Sequence, residues 1–165
     1  MNKLINNKKI YALVICYNAA PVLAKTYERI NKDLFDKIYL FEDASTDESA
    51  EVAKKFDWTI INNEKNLGHG GNLKKALKIA FEDGADYAVE IHADGQYSPN
   101  EVEKAKTKLL EGYDLIIGSR FQKKNPFVKD GMPFLRYITN KITSVATNFF
   151  CGIKASMYYV PVVSF

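Results

Sequence analysis

His92, Asp94 and Gln96 alternate along one short stretch, and in an extended segment residues i, i+2 and i+4 share a face. An imidazole, a carboxylate and an amide oxygen brought to one point are ligand types for Mn2+ or Mg2+, with substrate phosphates completing the shell. Asp94-Gly95 is also a turn dipeptide, so spacing alone leaves a metal site and a plain turn equally open. Asp94 is the stronger metal candidate and His92 the weaker, because Mg2+ prefers oxygen. Asp43, beside Glu42, is an acid that could accept hydrogen bonds from a ribose or base. It could equally cap the following helix, the role read for Asp47. Asn66-Leu-Gly-His-Gly-Gly-Asn72 has glycines that let backbone approach a ligand closely, next to a helix N-terminus that favours anions. His69 within it reads as a loop residue without a chemical task. Arg120 and Arg136, two of only three arginines, suit bidentate phosphate binding or a surface position.

These residues need elements to position them. Ile10–Cys16 is a continuous apolar run of the kind that forms a strand buried on both faces. Further strands are expected at Lys37–Phe41, Trp58–Ile61, Tyr87–Ile91 and Leu115–Ile117. Helices are expected between them: about Pro21–Leu34, a capping box at Ser45-Thr-Asp-Glu48 opening a helix to about Lys55, and about Gly71–Glu82. A second box, Ser98-Pro-Asn-Glu101, opens a helix to about Glu111, and residues 132–150 alternate in a helical way. Strands alternating with helices of this length imply βαβ units, hence an α/β fold with a doubly wound, mostly parallel sheet in a single domain. Ligands of such sheets sit at the carboxyl ends of the strands. The residues leaving those ends are Tyr17-Asn18, Glu42-Asp43, Asn62-Asn63, His92 to Gln96 and Gly118-Ser-Arg120, so acids, amides and one arginine converge on one edge.

The 165 residues, 47% apolar and 26% charged, exclude a disordered chain and supply one packed core. No run approaches the ~18 apolar residues of a spanning helix, the N-terminus has no secretory h-region, and Cys16 and Cys151 read as reduced thiols. Net charge is +3, but residues 1–114 carry 16 Lys/Arg against 19 Asp/Glu while residues 115–165 carry seven against one. That basic third suits an anionic partner or a solvated helix face. A dinucleotide fingerprint, a G-K-[ST] phosphate loop and a nucleophilic triad are all absent from the sequence. Met132, Phe134, Tyr137, Phe149, Phe150 and Met157 read as core rather than as a membrane face.

Val14-Ile-Cys-Tyr-Asn18, Phe41-Glu-Asp-Ala-Ser-Thr-Asp47, Asn66–Asn72, His92-Ala-Asp-Gly-Gln-Tyr97 and Ile117-Gly-Ser-Arg-Phe121 occur in that order over residues 10–150. Together they resemble the family 2 glycosyltransferases of the GT-A fold, in particular the branch similar to dolichyl- and polyprenyl-phosphate sugar synthases. The resemblance implies a Rossmann-like GT-A domain and a UDP- or GDP-linked sugar donor. It implies that Ile15, Tyr17, Asn18 and Asp43 hold base and ribose, with Gly68, Gly70, Gly71 and Ala93 lining the nucleotide sugar. His92-Ala-Asp94 matches the family's D-x-D metal motif, Gln96 a third metal position, and Asp94 the more strongly required acid. Arg120 and Arg136 match acceptor-phosphate residues, and Asp94 and Arg120 are the implied catalytic pair. The implied cofactor is Mg2+ or Mn2+, and the acceptor a polyprenyl phosphate or a glycan, with no nucleic acid. The implied location is the cytoplasm, with peripheral contact at the inner face of the membrane. His92 stands where many relatives have Asp, and Met157–Phe165 departs from the family's acid-x-x-[ST]-Gly-Phe-Arg continuation. The expectation is therefore a chain truncated or frame-shifted after Ser156, short of part of the acceptor site. The second reading of the same residues is a catalytically silent nucleotide-sugar-binding remnant.

Overall fold

The structure, a computed structural model, describes residues 8–94, 102, 105, 108, 115–119, 134–151 and 158–164. The chain divides into two compact units, Met1–Ile116 with Val162–Phe165, and Ile117–Pro161.

The first unit is built on β1 (Ile10–Cys16), whose seven residues are all buried. Parallel neighbours flank it, β2 (Lys37–Glu42) on one side and β4 (Tyr87–His92) on the other, with Leu13 opposite both Tyr39 and Glu90. Strand β3 (Thr59–Asn62) pairs parallel with β2, and Val162–Ser164 pairs antiparallel with β4. The order β3-β2-β1-β4 makes the first strand central, because the chain winds outward through β2 and β3 and then crosses back to β4. A doubly wound sheet of this order has its switch point between the carboxyl ends of β1 and β4.

Helix α3 (Gly68–Glu82) covers one face of the sheet, burying Asn72, Ala76 and Ala80 at i, i+4 and i+8. Ala76 and Ala80 pack with Tyr11, Leu13, Ile15, Tyr39, Phe41 and Ala88 in one apolar cluster. Small residues there let the helix backbone approach the strands closely. Helices α1 (Ala20–Arg29) and α2 (Ser49–Ala53) pack on each other, with Leu23 and Ala53 fully buried.

Element boundaries depart from the sequence pattern where side chains found tertiary partners. The helix expected to reach Leu34 ends at Arg29, because Ile30 turns extended and is buried; a separate 3-10 turn, Lys32–Leu34, follows with Asn31 as its cap. The first capping box does not form: Ser45 Oγ accepts the Asn18 N–H, and Glu42 accepts the Ser45 N–H, so α2 starts only at Ser49. Helix α3 starts at Gly68, three residues before the expected position, with Gly68 at φ +71°. His69 therefore lies in its first turn rather than in a loop. Val102, Ala105 and Lys108 are helical, as the second capping box implied for that stretch, and Val102 is buried.

Strand β5 is Leu115–Ser119 and β6 is Tyr158–Ser164. In the second unit, helix α4 (Phe134–Cys151) departs from expectation. Phe134, Phe149 and Phe150, read as core, are 68%, 81% and 84% exposed. Leu135, Ile142, Val145 and Phe149 form an exposed stripe at helical spacing, so the apolar pattern is present but solvent-facing. Met132, Met157 and the Tyr137 side chain lie outside the described residues. No helix among the described residues is long and apolar enough to cross a membrane.

Candidate functional site

The edge at the ends of β1 and β2 is stitched by its own loop residues. Asn18, at φ +49°, donates its N–H to Ser45 Oγ (3.0 Å), and its side-chain oxygen accepts the Thr46 N–H (2.9 Å). Asp47 accepts the Ser49 N–H at 2.9 Å, the start-of-helix role read from sequence. It also accepts the Ala20 N–H at 3.0 Å, tying α2 to α1. Ser49 Oγ takes the Ala19 N–H at 2.8 Å. Burial pushes the Asp47 carboxyl up, but the hydrogen bonds from Ser49 and Ala20 outweigh it and hold the group below its usual range. Ile15 is buried beside this edge, while Tyr17 is 48% exposed at its rim.

Asp43 does not cap α2. It is 2% exposed, and its Oδ1 accepts from Asn63 Nδ2 (2.7 Å) and from the Leu67 N–H (2.9 Å). Asn63 Nδ2 also donates to Asn72 Oδ1 (3.0 Å), Asn72 Nδ2 donates to the Phe41 carbonyl (3.0 Å), and Lys75 Nζ donates to Asn63 Oδ1 (2.6 Å). This network anchors the first turns of α3 to the ends of β2 and β3. Asn66 Oδ1 accepts the Gly68 N–H at 2.7 Å, a local turn that opens the helix. A Cβ on Gly70 would meet open space, and one on Gly71 would lie 3.0 Å from Leu67 Cβ.

At the end of β4, Ala93 is 2% exposed and held from both sides. Its N–H donates to the Ile15 carbonyl (3.1 Å) and its carbonyl accepts from Thr26 Oγ1 (2.9 Å). The extended backbone stops at His92, and Ala93 and Asp94 form a turn that leaves Asp94 exposed. Strand β4 thus ends before Asp94, and the residue sharing a strand face with His92 within it is Glu90. Gln96 and Arg120 lie outside the described residues, as does the side chain of Arg136, which is carried on α4.

Glu90 and His69 are the candidate site residues that sequence reasoning missed. The Glu90 carboxylate is 4% exposed, with Oε1 3.2 Å from His69 Nε2 and 3.3 Å from His92 Nε2. Neither contact has hydrogen-bond geometry, so this buried oxygen is left without a hydrogen bond. The two imidazole rings are tilted over each other with centroids 5.0 Å apart. The available signal was an acid inside an otherwise apolar strand, two residues before a histidine, since a buried charge needs a partner.

Residues 11–160 match the profile of Glycosyl transferase family 2. The chain is 34% identical over 137 residues to protein MJ1222 of Methanocaldococcus jannaschii, which covers 82% of this chain and 56% of that protein. It is 26% identical to the UDP-N-acetylglucosamine–dolichyl-phosphate N-acetylglucosaminyltransferase of Methanococcus voltae, covering 92% of this chain and 65% of that one. The chain thus spans just over half to about two thirds of the length of these curated relatives. Among solved structures, glucosyl-3-phosphoglycerate synthase of Mycobacterium tuberculosis, in complex with Mn2+, UDP and glucosyl-3-phosphoglycerate, superposes with a TM-score of 0.66. That match is 16% identical and covers 96% of this chain and 57% of the other, a likeness of the GT-A fold.

Proposed function

Because the chain belongs to glycosyl transferase family 2, we propose that it moves a sugar from a UDP- or GDP-linked donor to a polyprenyl-phosphate acceptor with the help of a divalent cation. The observation that supports this reading is the switch point between β1 and β4, where the Ala93 N–H donates to the Ile15 carbonyl, so that Tyr17-Asn18 and Ala93-Asp94 leave the carboxyl ends of neighbouring strands. The Methanococcus voltae relative, named for a UDP-sugar donor and a dolichyl-phosphate acceptor, supports the choice of substrates.

In this reading Ile15, Tyr17 and Asn18 receive the base and ribose. Asp43 already commits one oxygen to Asn63 and Leu67, so its second oxygen accepts from the nucleotide. Gly68, Gly70 and Gly71 admit the nucleotide sugar closely, and Ala93 lines it from the end of β4. The buried, hydrogen-bond-free Glu90 oxygen beside His92 favours a cation here, and His92, Asp94 and Gln96 would hold it. A divalent ion bound there neutralises charge developing on the departing nucleoside diphosphate. An acceptor phosphate is anionic at neutral pH, so Arg120 and Arg136 position it and no general base is needed. The location proposed is the cytoplasmic face of a membrane.

A thermal-shift panel of nucleotide sugars with and without Mn2+ tests donor binding, since a ligand of the native state raises the melting temperature. Transfer to a polyprenyl phosphate is expected to require divalent metal and to be lost in Asp94→Ala. No shift with any nucleotide sugar would overturn the reading; binding without turnover would leave a nucleotide-sugar-binding protein, and transfer to a sugar hydroxyl would reassign the acceptor.

A further inference from the structure

We infer that His69, Glu90 and His92 form a three-donor binding site for a first-row transition-metal ion, occupied without any nucleotide. It shares His92 with the proposed donor site, but the other two ligands come from outside the Asp94 motif: one from the first turn of α3 and one from within β4. The ligand atoms of all three lie within 4.8 Å of one another. The separations of 3.2 Å and 3.3 Å from the Glu90 oxygen to the two imidazole nitrogens are those of adjacent donors on one ion. At a metal–donor distance of ~2.1 Å they subtend ~100°, between the octahedral and tetrahedral angles. Two donors on such an ion are ~4.2 Å apart when trans and ~3.2–3.4 Å apart at those angles, so closing the site asks for roughly half to one and a half ångströms of movement. The His69 side chain is 55% exposed on the first turn of α3.

The state of Glu90 points the same way. A carboxylate at 4% exposure costs several kcal/mol to desolvate unless it is paired and hydrogen-bonded, and its Oε1 has no hydrogen bond. Both nitrogens approach the same oxygen without aligning as hydrogen-bond donors, and a cation shared with them would satisfy that oxygen. The fold also aims the carboxylate at the site. Glu90 pairs with Leu13 across β1 and lies on the strand face of Ala88, which packs under α3, so its side chain points toward the helix that carries His69.

Two nitrogens and one oxygen decide the kind of ion. Mg2+, Ca2+ and Mn2+ favour oxygen donors, whereas imidazole suits Zn2+, Cu2+, Fe2+ and Ni2+. Three protein donors leave further coordination positions for water or a substrate group.

The test is calorimetric titration of the chelator-stripped full chain with Zn2+, Mn2+ and Mg2+, with no nucleotide present. One ion per chain is expected, with Zn2+ bound at least about 100-fold more tightly than Mg2+. His69→Ala, a change at an exposed side chain, should weaken Zn2+ binding by at least about tenfold, and Glu90→Gln, with its fold verified by circular dichroism, by more. No stoichiometric binding, equal affinity for Mg2+, or Zn2+ affinity unchanged in His69→Ala would overturn the inference and leave a carboxylate–imidazole contact only. Zn2+ binding in a chain that neither binds nor turns over nucleotide sugars would overturn the transferase reading alone.

Discussion

Asn72 sits on the inner face of α3, in line with Ala76 and Ala80 and fully buried, where an apolar residue would ordinarily be. Its amide donates to the Phe41 carbonyl at 3.0 Å and accepts from Asn63 at 3.0 Å. Asn72→Ala removes both bonds: losing the one to Asn63 costs about 1 kcal/mol, and leaving the buried Phe41 carbonyl without its donor costs about 1–3 kcal/mol. The better helix propensity of alanine returns roughly 0.5 kcal/mol. The expected loss is therefore about 1.5–3.5 kcal/mol, a large share of a typical stability of about 5–15 kcal/mol. Urea unfolding followed by Trp58, the single tryptophan and a buried residue of the first unit, measures it. With a slope of about 2 kcal/mol per molar, the midpoint should fall by about 1 M with the slope unchanged. Lys74→Ala, on the exposed face of the same helix, should stay within about 0.5 kcal/mol of the parent. Asn63→Ala closes a double-mutant cycle, and the two changes should be non-additive by about 1 kcal/mol or more, because they break one network. A loss below about 0.5 kcal/mol for Asn72→Ala, or strict additivity with Asn63→Ala, would refute the idea that this network seats α3 on the sheet.

Cys16 is fully buried, and desolvation pushes its thiol up to about 12, so a Cys151→Ser chain should resist iodoacetamide at pH 8 when folded and take one equivalent when unfolded in guanidinium. Hydrogen bonds from Lys37 (2.8 Å) and Tyr39 (2.9 Å) hold the Asp83 carboxyl below its usual range. The unfolded chain then binds more protons between the folded and unfolded pKa values. This contribution to stability is present above about pH 4 and lost as pH falls through the depressed value, so Asp83→Asn should flatten the acid limb of a stability–pH profile. The slope should shrink without vanishing, since Asp57 and Asp86 are depressed in the same direction by Lys32 and Lys8. Leu13→Ala, at a fully buried position in the apolar cluster, should cost about 3–5 kcal/mol, whereas Phe149→Ser on the exposed stripe of α4 should move the melting temperature little. Circular dichroism melts of the two variants side by side check both, and equal destabilisation would contradict the assigned burial.

Much of the architecture was legible in the chain because it rests on local pattern. The run Ile10–Cys16 could hardly be anything but a two-sided buried strand, and its alternation with helical stretches implied a parallel sheet whose strand ends carry the ligand edge. Five ordered motifs carried the family. Features that depend on competition between partners were not legible. Ser45 and Glu48 have the spacing of a capping box, but the Asn18 N–H claims Ser45, and the helix begins four residues later. Asp43 reads equally well as a cap or a ligand, and only the arrival of Asn63 and Leu67 from another loop assigns its Oδ1.

The same division holds at the site itself. Sequence alone determined the family, the sheet and the edge where chemistry belongs, because hydrophobic periodicity and motif order are written along one dimension. It also placed His92 and Asp94 at the end of a strand. Tertiary structure alone decided which groups share a point in space. The strand ends at His92, so its same-face neighbour is Glu90, and the network around Asn72 sets the first turn of α3 so that His69, 23 positions earlier than His92, reaches the same carboxylate. The physical reason is that a side chain's partners are set by the packing of a helix on a sheet, which joins residues that no spacing along the chain connects.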